Sequence, residues 1–420
     1  MKFQFSTIGK QLSGGSGIEQ LMDDLGHALH AGGPKMRMLG GGNPAAIPEM
    51  TAVWREEMLR LITETPDRFD RMLVNYDPCR GSPTCLQAVA NFFNRHYGWG
   101  LTTDNVVVTN GGQTAFFYLI NLLAGTSPQG QQRRVLLPLV PEYIGYANQG
   151  LAPHAFRAIR PQCEQIDEVT FKYRVDFEAL EVTDEIAAIC VSRPTNPSGN
   201  VLTDEEIDQL RDLALSHEIP LIVDNAYGAP FPNIVFRDVR PPWGENVVLT
   251  YSLSKLGLPG TRTGIVIGPP QITRAIGAIN AVAGLASGNI GQVLVTPLLD
   301  NDRLLELSRD VIRPFYQKKS TDALAWLAEL MPSGSYRVHV SEGALFLWLC
   351  FPHLPITTVG LYERLKKRDV LVVPGKYFFY GLDEAWPHQD ECIRLTFSMP
   401  PDDVRAGIEI LADEIRRLSG

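Results

Sequence analysis

Short apolar runs rich in β-branched residues alternate with helical patterns through the middle of this 420-residue chain. The runs lie at residues 106–109, 135–137, 187–191, 221–223, 247–250 and 265–267. Because each run is apolar on both faces, it is typical of a strand buried in a parallel sheet. The capping box Thr203-Asp-Glu-Glu206 marks the start of one intervening helix. The alternation predicts an α/β fold, with a mostly parallel sheet between helices.

The pattern changes after residue 302. A long helical pattern runs from Arg303 to Met331, and Pro314 should end or kink it. Shorter apolar runs and two further helical patterns follow it. We therefore expect a large domain at 45–302 and a smaller α+β domain at 303–420. The glycine-rich residues 1–44 are expected to form an arm that joins the small domain.

Composition excludes several kinds of partner. Asp and Glu outnumber Lys and Arg by 47 to 38, and no basic run stands out, so no nucleic-acid partner is expected. The most apolar stretch, at 344–351, is too short to span a membrane. The cysteines are scattered without a C-x-x-C pair, and the N-terminus lacks the apolar core of a signal peptide. These features predict a cytoplasmic protein with reduced cysteines and no metal site.

Lys255 closes the segment Tyr251-Ser-Leu-Ser-Lys255, directly after a predicted buried strand. Open α/β folds bind ligands at the carboxyl ends of their strands, so this lysine is a candidate for Schiff-base chemistry. Arg262 follows seven residues later, and its planar guanidinium matches phosphate oxygens. Taken alone, the Ser-x-Ser-Lys segment is more often a solvated loop, and Arg262 is what favours the functional interpretation.

Three other strand ends carry polar groups. Asp224 follows Leu-Ile-Val, where an acid is costly unless it is paired; a pyridinium nitrogen or a helix N-terminus would pair it. Asn196 lies in the rigid segment Arg193-Pro-Thr-Asn-Pro-Ser-Gly199, which is either a ligand contact or a plain turn. Gly111 and Gly112 precede an apolar helix, so their backbone amides form an anion cradle or an ordinary βα turn. There is no G-x-G-x-x-G dinucleotide motif.

The order Gly-Gly-Gln, Asn-Pro, Asp-x-x-Tyr, Ser-x-x-Lys and then Arg resembles the fold-type-I aminotransferases of the aspartate-aminotransferase superfamily. The resemblance covers essentially the whole chain. It implies a large domain, a small domain and pyridoxal 5′-phosphate as the cofactor, with Lys255, Asp224 and Tyr227 as the catalytic residues. It also implies a cis peptide bond at Asn196–Pro197. The implied cofactor contacts are Gly112, Gln113, Tyr143, Asn196, Asp224, Tyr227, Ser252, Lys255 and Arg262.

The resemblance also implies how substrates and subunits are arranged. Arg394 and Gly42, with Asn196, would bind the substrate carboxylate. Tyr76 would reach the phosphate of a neighbouring subunit, so a homodimer with shared active sites is expected. The segment 281–291 has no arginine where some relatives that act on aspartate place one. That absence suits a small apolar side chain. The resemblance implies valine, or a similar small apolar amino acid, as the amino donor and pyruvate as the acceptor, to give 2-oxoisovalerate and alanine.

Two alternatives remain at this stage. Other enzymes of the same cofactor class, such as a C–S lyase or an aminotransferase for larger substrates, share the whole cofactor set and differ only in the substrate pocket. A cofactor-binding transcriptional regulator would need an attached DNA-binding segment. The first forty residues are too short and not basic enough to provide one.

Overall fold

The computed structural model of the chain describes residues 3–14 and 36–419. The α-helices in these ranges are α1 Thr7–Leu12, α2 Pro48–Glu64, α3 Pro66–Val74, α4 Pro83–Tyr97, α5 Gly112–Leu123, α6 Asp204–Ser216, α7 Pro270–Gly284, α8 Asn289–Asp300, α9 Arg303–Leu307, α10 Arg313–Leu330, α11 Thr358–Lys366 and α12 Pro401–Ser419. The strands are β1 Arg37–Met38, β2 Val106–Thr109, β3 Gly125–Thr126, β4 Gln132–Leu137, β5 Phe156–Ala158, β6 Gln162–Gln165, β7 Thr170–Arg174, β8 Ile186–Ser192, β9 Leu221–Asp224, β10 Val247–Ser252, β11 Gly264–Ile267, β12 Arg337–His339, β13 Phe346–Cys350, β14 Val370–Leu371, β15 Val373–Pro374 and β16 Cys392–Thr396.

The larger sheet has the order β2-β11-β10-β9-β8-β4-β3, and β5 also pairs with β4. Strands β4, β8, β9 and β10 run parallel, as their apolar patterns predict. Strand β11 runs antiparallel to both β10 and β2. Its pattern does not reveal this, because a strand buried on both faces is apolar whichever way it runs. The predicted α/β fold with a mostly parallel sheet is confirmed.

Helix α6 shows how local sequence fixes an element of this layer. Thr203 accepts a hydrogen bond from the backbone N–H of Glu206 at 3.1 Å, and the Glu206 carboxylate accepts one from the Thr203 N–H at 2.8 Å. This is the capping box that the sequence predicts. The helix then buries Ile207, Leu210 and Ala214.

The second sheet has the order β15-β16-β13-β12-β7-β6. Four of its strands come from the C-terminal part of the chain, but β6 and β7 come from residues 162–174, within the range proposed for the large domain. The proposed boundary at residue 302 therefore follows chain order and does not separate the two sheets. The described end of the arm, β1, pairs in parallel with β14, while residues 15–35 of the arm lie outside the described residues.

The long helical pattern from Arg303 is interrupted before Pro314. A π-helical turn, Ser308–Ile312, separates α9 from α10, and Pro314 is the second residue of α10. A proline removes the bond to the carbonyl four residues earlier and clashes with it, so the wider turn accommodates the ring. None of the described helices is both long and apolar enough to cross a membrane.

Candidate active site

Three neighbouring parallel strands place three polar side chains side by side. In the ladder of β8, β9 and β10, Asp224 is the direct partner of Ser192 on one side and of Thr250 on the other. All three residues lie at or near the carboxyl ends of their strands. Ligands bind at this edge in open α/β folds. A single cavity there is lined by every predicted site residue except Tyr76.

The Asp224 carboxylate accepts hydrogen bonds from three sides. Thr250 Oγ1 donates at 3.2 Å and the Ala226 backbone N–H at 3.0 Å to Oδ1, while the Tyr146 hydroxyl donates to Oδ2. Burial raises the pKa of Asp224 above its usual value, and the hydrogen bonds from Tyr146 and Ala226 oppose that rise. The carboxylate is therefore held in a fixed position in a poorly solvated place, where a cationic partner would stabilise it.

Lys255 lies in the 3-10 turn Leu253–Leu256 that follows β10. Its Nζ donates to the Gly42 carbonyl at 2.7 Å and lies 5.3 Å from the centre of the Tyr227 ring. Burial, and next the positive charge of Arg394, lower the pKa of Lys255 from 10.5 to about 8. A substantial fraction of this amine is therefore neutral near physiological pH, as an attacking amine must be.

The start of α5 forms the predicted anion cradle. Gly111 has φ +89°, and a Cβ there would lie 2.4 Å from Nη2 of Arg262. Only glycine therefore allows the guanidinium to come this close to the helix N-terminus. Ser252 faces the same helix start, because a Cβ added to Gly112 would lie 3.8 Å from the Cβ of Ser252. A helix N-terminus, a guanidinium and a hydroxyl together suit a phosphate group.

Arg394 of β16 lies on the opposite side of the cavity. Its Nη1 donates to Asn196 Oδ1 at 2.7 Å and its Nη2 to the Gly40 carbonyl at 2.7 Å. Its guanidinium carbon lies 4.2 Å from the centre of the Phe346 ring. Nε is buried without a hydrogen-bond partner among the described residues. Burial lowers the pKa of Arg394 to about 10, so the group remains cationic near neutral pH.

The remaining predicted residues fall in different places. Tyr143 and Tyr227 line the cavity, whereas Tyr76 is 82% exposed and lies outside it. No residue of 281–291 lines the cavity in the described chain. The expected cis bond at Asn196–Pro197 is wrong: the cis bond of this loop is Arg193–Pro194.

Arg193 fixes this loop from behind. It is 2% exposed, and its Nη2 donates to Asp204 at 2.6 Å. Its other nitrogens donate to the carbonyls of Leu202 at 2.7 Å and Arg240 at 3.1 Å. The structure therefore gives Arg193 an ion pair with Asp204 that holds the loop.

Sequence reasoning did not find the residues that hold Asp224 in place. Tyr146 ends the short 3-10 turn that begins directly after Tyr143, and the sequence pattern does not indicate which of these two tyrosines reaches β9. Glu142 is buried and accepts from the Ser192 hydroxyl at 2.6 Å and from the Ser192 and Tyr143 N–H groups. Burial raises the pKa of Glu142 to about 7. Thr250 had a signal, because it lies two residues before the end of β10, the strand next to that of Asp224.

Comparison with known proteins identifies the class. The chain matches the model of the aminotransferase class I and II family over residues 50–411 and belongs to that family. It is therefore an aminotransferase, as the sequence predicts.

The names of individual relatives are more specific than that of the family. The valine–pyruvate aminotransferase of Escherichia coli strain K12 is 47% identical over 413 residues, which are 98% of each chain. The solved valine–pyruvate aminotransferase of Salmonella typhimurium LT2 superposes with a TM-score of 0.88 at 45% identity, covering 96% of this chain and 99% of that one. A solved Psychrobacter arcticum 273-4 protein, described as an amino-acid aminotransferase, gives a TM-score of 0.96 at 43% identity over 100% of this chain and 99% of that one.

The lowered pKa of Lys255 predicts how its amine reacts in the ligand-free protein. The rate of its modification by an amine reagent, followed by mass spectrometry of the Lys255 peptide, should rise with pH to a midpoint of about 8. Arg394→Gln should move that midpoint upward, because it removes a positive charge that disfavours the protonated amine. The exposed Arg309→Gln is the control and should leave it unchanged. A wild-type midpoint at the ordinary value of 10.5 would contradict the lowered pKa of Lys255.

Proposed function

We propose that this chain is a pyridoxal 5′-phosphate-dependent aminotransferase that exchanges the amino group between L-valine, or a similar small apolar amino acid, and pyruvate. The products would be 2-oxoisovalerate and L-alanine. The observation that carries the proposal is the placement of Lys255, Asp224 and the Arg262 cradle around one cavity. The E. coli relative that is 47% identical over 98% of both chains supports the choice of substrates.

The groups around the cavity fit this cofactor at each of its functional ends. Gly112, Gln113, Ser252 and Arg262 would hold the phosphate at the start of α5. Asp224 would pair with the ring nitrogen, since its partly buried carboxylate makes no direct ion pair among the described residues. Tyr227 and Asn196 would contact the ring oxygen, and Tyr143 would stack on the ring face.

Lys255 would carry both the binding and the proton transfer. Its amine, with a pKa of about 8, has enough neutral form to bond to an aldehyde. The bound cofactor supplies an electron sink for the bond broken at the substrate Cα. The Lys255 Nζ would hold and move the proton that leaves the substrate Cα. With the oxo acid, the same amine would work in reverse.

Arg394 would orient the substrate for this step. The guanidinium lines the cavity, and Nη1 and Nη2 each have a second N–H besides the one bonded to Asn196 or Gly40, so a substrate carboxylate could accept hydrogen bonds from them. Gly40 and Asn196 hold the side chain in place, and Gly42 adds the backbone next to it. A fixed carboxylate fixes the direction of the Cα–H bond relative to Lys255.

A neutral, small substrate side chain agrees with the charges in the cavity. Its cationic lining residues are Lys255, Arg262 and Arg394, and each already has a proposed role. No further cation among the described lining residues remains for a second carboxylate. Apolar side chains of Phe116, Ile144 and Pro194 also line the cavity.

We also propose that the active unit is a homodimer. Tyr76 is exposed together with its apolar neighbours Leu73 and Val74, as expected for residues that contact a partner subunit. From there Tyr76 would reach the phosphate in the partner's site. The cytoplasmic location stays a prediction, consistent with the six free cysteines.

The most direct test is a single half-reaction. L-Valine is added, without an oxo acid, to protein loaded with the cofactor. The visible cofactor band should disappear as 2-oxoisovalerate forms, and pyruvate should restore it as alanine forms. Lys255→Ala should lose this cycle by several orders of magnitude, because Lys255 is the group proposed to move the proton.

Other outcomes of that experiment would redirect the proposal. Bleaching by a larger amino acid but not by valine would keep the reaction and change the substrate. Release of pyruvate and ammonia from a sulfur amino acid would indicate a C–S lyase instead. A loaded protein without any visible band would contradict the role of Lys255.

Tyr146 should act as a positioning residue through Asp224. Tyr146→Phe removes one hydrogen-bond donor to the Asp224 carboxylate, so the pKa of Asp224 should rise further. As the pH is lowered, cofactor affinity should therefore begin to fall at a higher pH than in the wild type. Loss of a hydrogen bond to a charged group should weaken cofactor binding by roughly 10- to 100-fold. Tyr118→Phe, which removes another buried hydroxyl near α5, is the control. Equal affinities and equal pH profiles for the two variants would contradict this role.

A further inference from the structure

Two cysteines and a histidine come together in the second sheet, away from the cavity. Cys350 ends β13 and Cys392 begins β16, and the two are direct partners across this antiparallel pair. His388 lies in the 3-10 turn Pro387–Asp390 just before β16. One ligand atom from each of the three residues lies within 4.8 Å of the others. The cysteines are 42 positions apart in the chain, so the sequence does not indicate this cluster.

Three of the distances in this cluster match a tetrahedral metal site. His388 Nδ1 is 3.6 Å from Cys350 Sγ, and Glu391 Oε2 is 3.3 Å from that nitrogen and 3.7 Å from that sulfur. Zinc bonds of about 2.0 Å to nitrogen or oxygen and 2.3 Å to sulfur imply tetrahedral ligand separations of about 3.3 to 3.8 Å. The three measured separations all fall in this range. Cys392 Sγ lies 3.4 Å from Nε2, the other ring nitrogen of His388, so its side chain would have to rotate to bring this second sulfur to an ion at Nδ1.

The other nitrogen of His388 is already fixed. Nε2 lies 2.6 Å from the Tyr173 hydroxyl, which also accepts a hydrogen bond from Trp348 Nε1 at 2.9 Å. The Trp386 ring packs beside the imidazole, with 4.6 Å between the ring centres. A histidine that binds metal through one nitrogen usually has the other held by such a neighbour, which sets the tautomer and the ring orientation.

The cluster is enclosed but has an entrance. Cys350 is 3% exposed and Cys392 is fully buried, whereas the side chain of Glu391 is 36% exposed. The carboxylate thus lies between the buried sulfurs and solvent, on the path by which an ion would enter. Both cysteines are free thiols, so both are available as ligands.

We propose that Cys350, Cys392 and His388 Nδ1, with Glu391 as the fourth ligand, bind one divalent cation of the zinc class. Two soft sulfurs with an imidazole and a carboxylate are a ligand set that zinc accepts in closed, structural sites. The two thiols release their protons to solvent on binding. This proposal replaces the expectation, drawn from the scattered cysteines, that the chain has no metal site.

The position of the site gives it a structural role. Cys392 is two residues before Arg394 on β16. In this ladder Cys350 pairs with Cys392, and two positions further along Trp348 pairs with Arg394. The ion would therefore cross-link β13 and β16 at the end of the ladder that carries Arg394. We expect it to stiffen this strand without touching the reacting atoms.

The test uses the reduced, cofactor-loaded full chain, stripped of metal with a chelator and then titrated with Zn²⁺ against a chromophoric competitor. One Zn²⁺ should bind per chain and raise the melting temperature. With Co²⁺, thiolate charge-transfer bands and the visible bands of tetrahedral cobalt should appear. Cys350→Ser and Cys392→Ser should each weaken Zn²⁺ binding by at least about 100-fold, more than the roughly 10- to 100-fold typical of residues behind a ligand.

Cys79→Ser is the matched control, since it removes a thiol from the chain far from this cluster and should bind Zn²⁺ like the wild type. His388→Gln and Glu391→Gln provide variants that keep both cysteines, in case a serine variant fails to fold. The proposal is overturned if the wild type binds no Zn²⁺ in this titration or if its Co²⁺ spectrum lacks thiolate bands. It is equally overturned if folded Cys350→Ser binds both ions as Cys79→Ser does.

Discussion

The hydrogen-bonded register of β8, β9 and β10 is the constraint on which the site depends. It places Ser192, Asp224 and Thr250 side by side at one edge of the sheet. A carboxylate is costly at such a partly buried position, and Thr250 and Tyr146 offset only part of that cost by hydrogen bonding. The remaining imbalance favours a cation in front of Asp224. In the proposed function, the ring nitrogen of the cofactor supplies that cation.

The second sheet and the arm complete this arrangement from the other side. The backbone of residues 40–42 accepts hydrogen bonds from both Lys255 and Arg394, so it links the turn after β10 to strand β16. Arg394 in turn contacts Asn196 in the loop after β8. The lysine, the arginine and the arm are thus coupled by short polar contacts, which fix their relative positions before a substrate binds.

Most of the site follows from the sequence because its residues lie next to strands that are easy to identify. Asp224 and Lys255 each follow an apolar run, and parallel strands bring their ends to one edge. Tyr146 and Glu142 could not be placed, because an irregular turn carries no periodic signal. The pairing of β6 and β7 with the C-terminal strands, and of Cys350 with Cys392, depends on long-range register that no local pattern encodes.

The central claim is that Asp224 keeps a ring nitrogen protonated, and nuclear magnetic resonance of the loaded protein tests it most directly. The cofactor would be labelled with ¹⁵N at its ring nitrogen, and the chemical shift followed across neutral pH. The account predicts a protonated ring in the wild type, and an unprotonated one in Asp224→Asn with the cofactor still bound. An unprotonated ring nitrogen in the wild type at neutral pH would contradict the account.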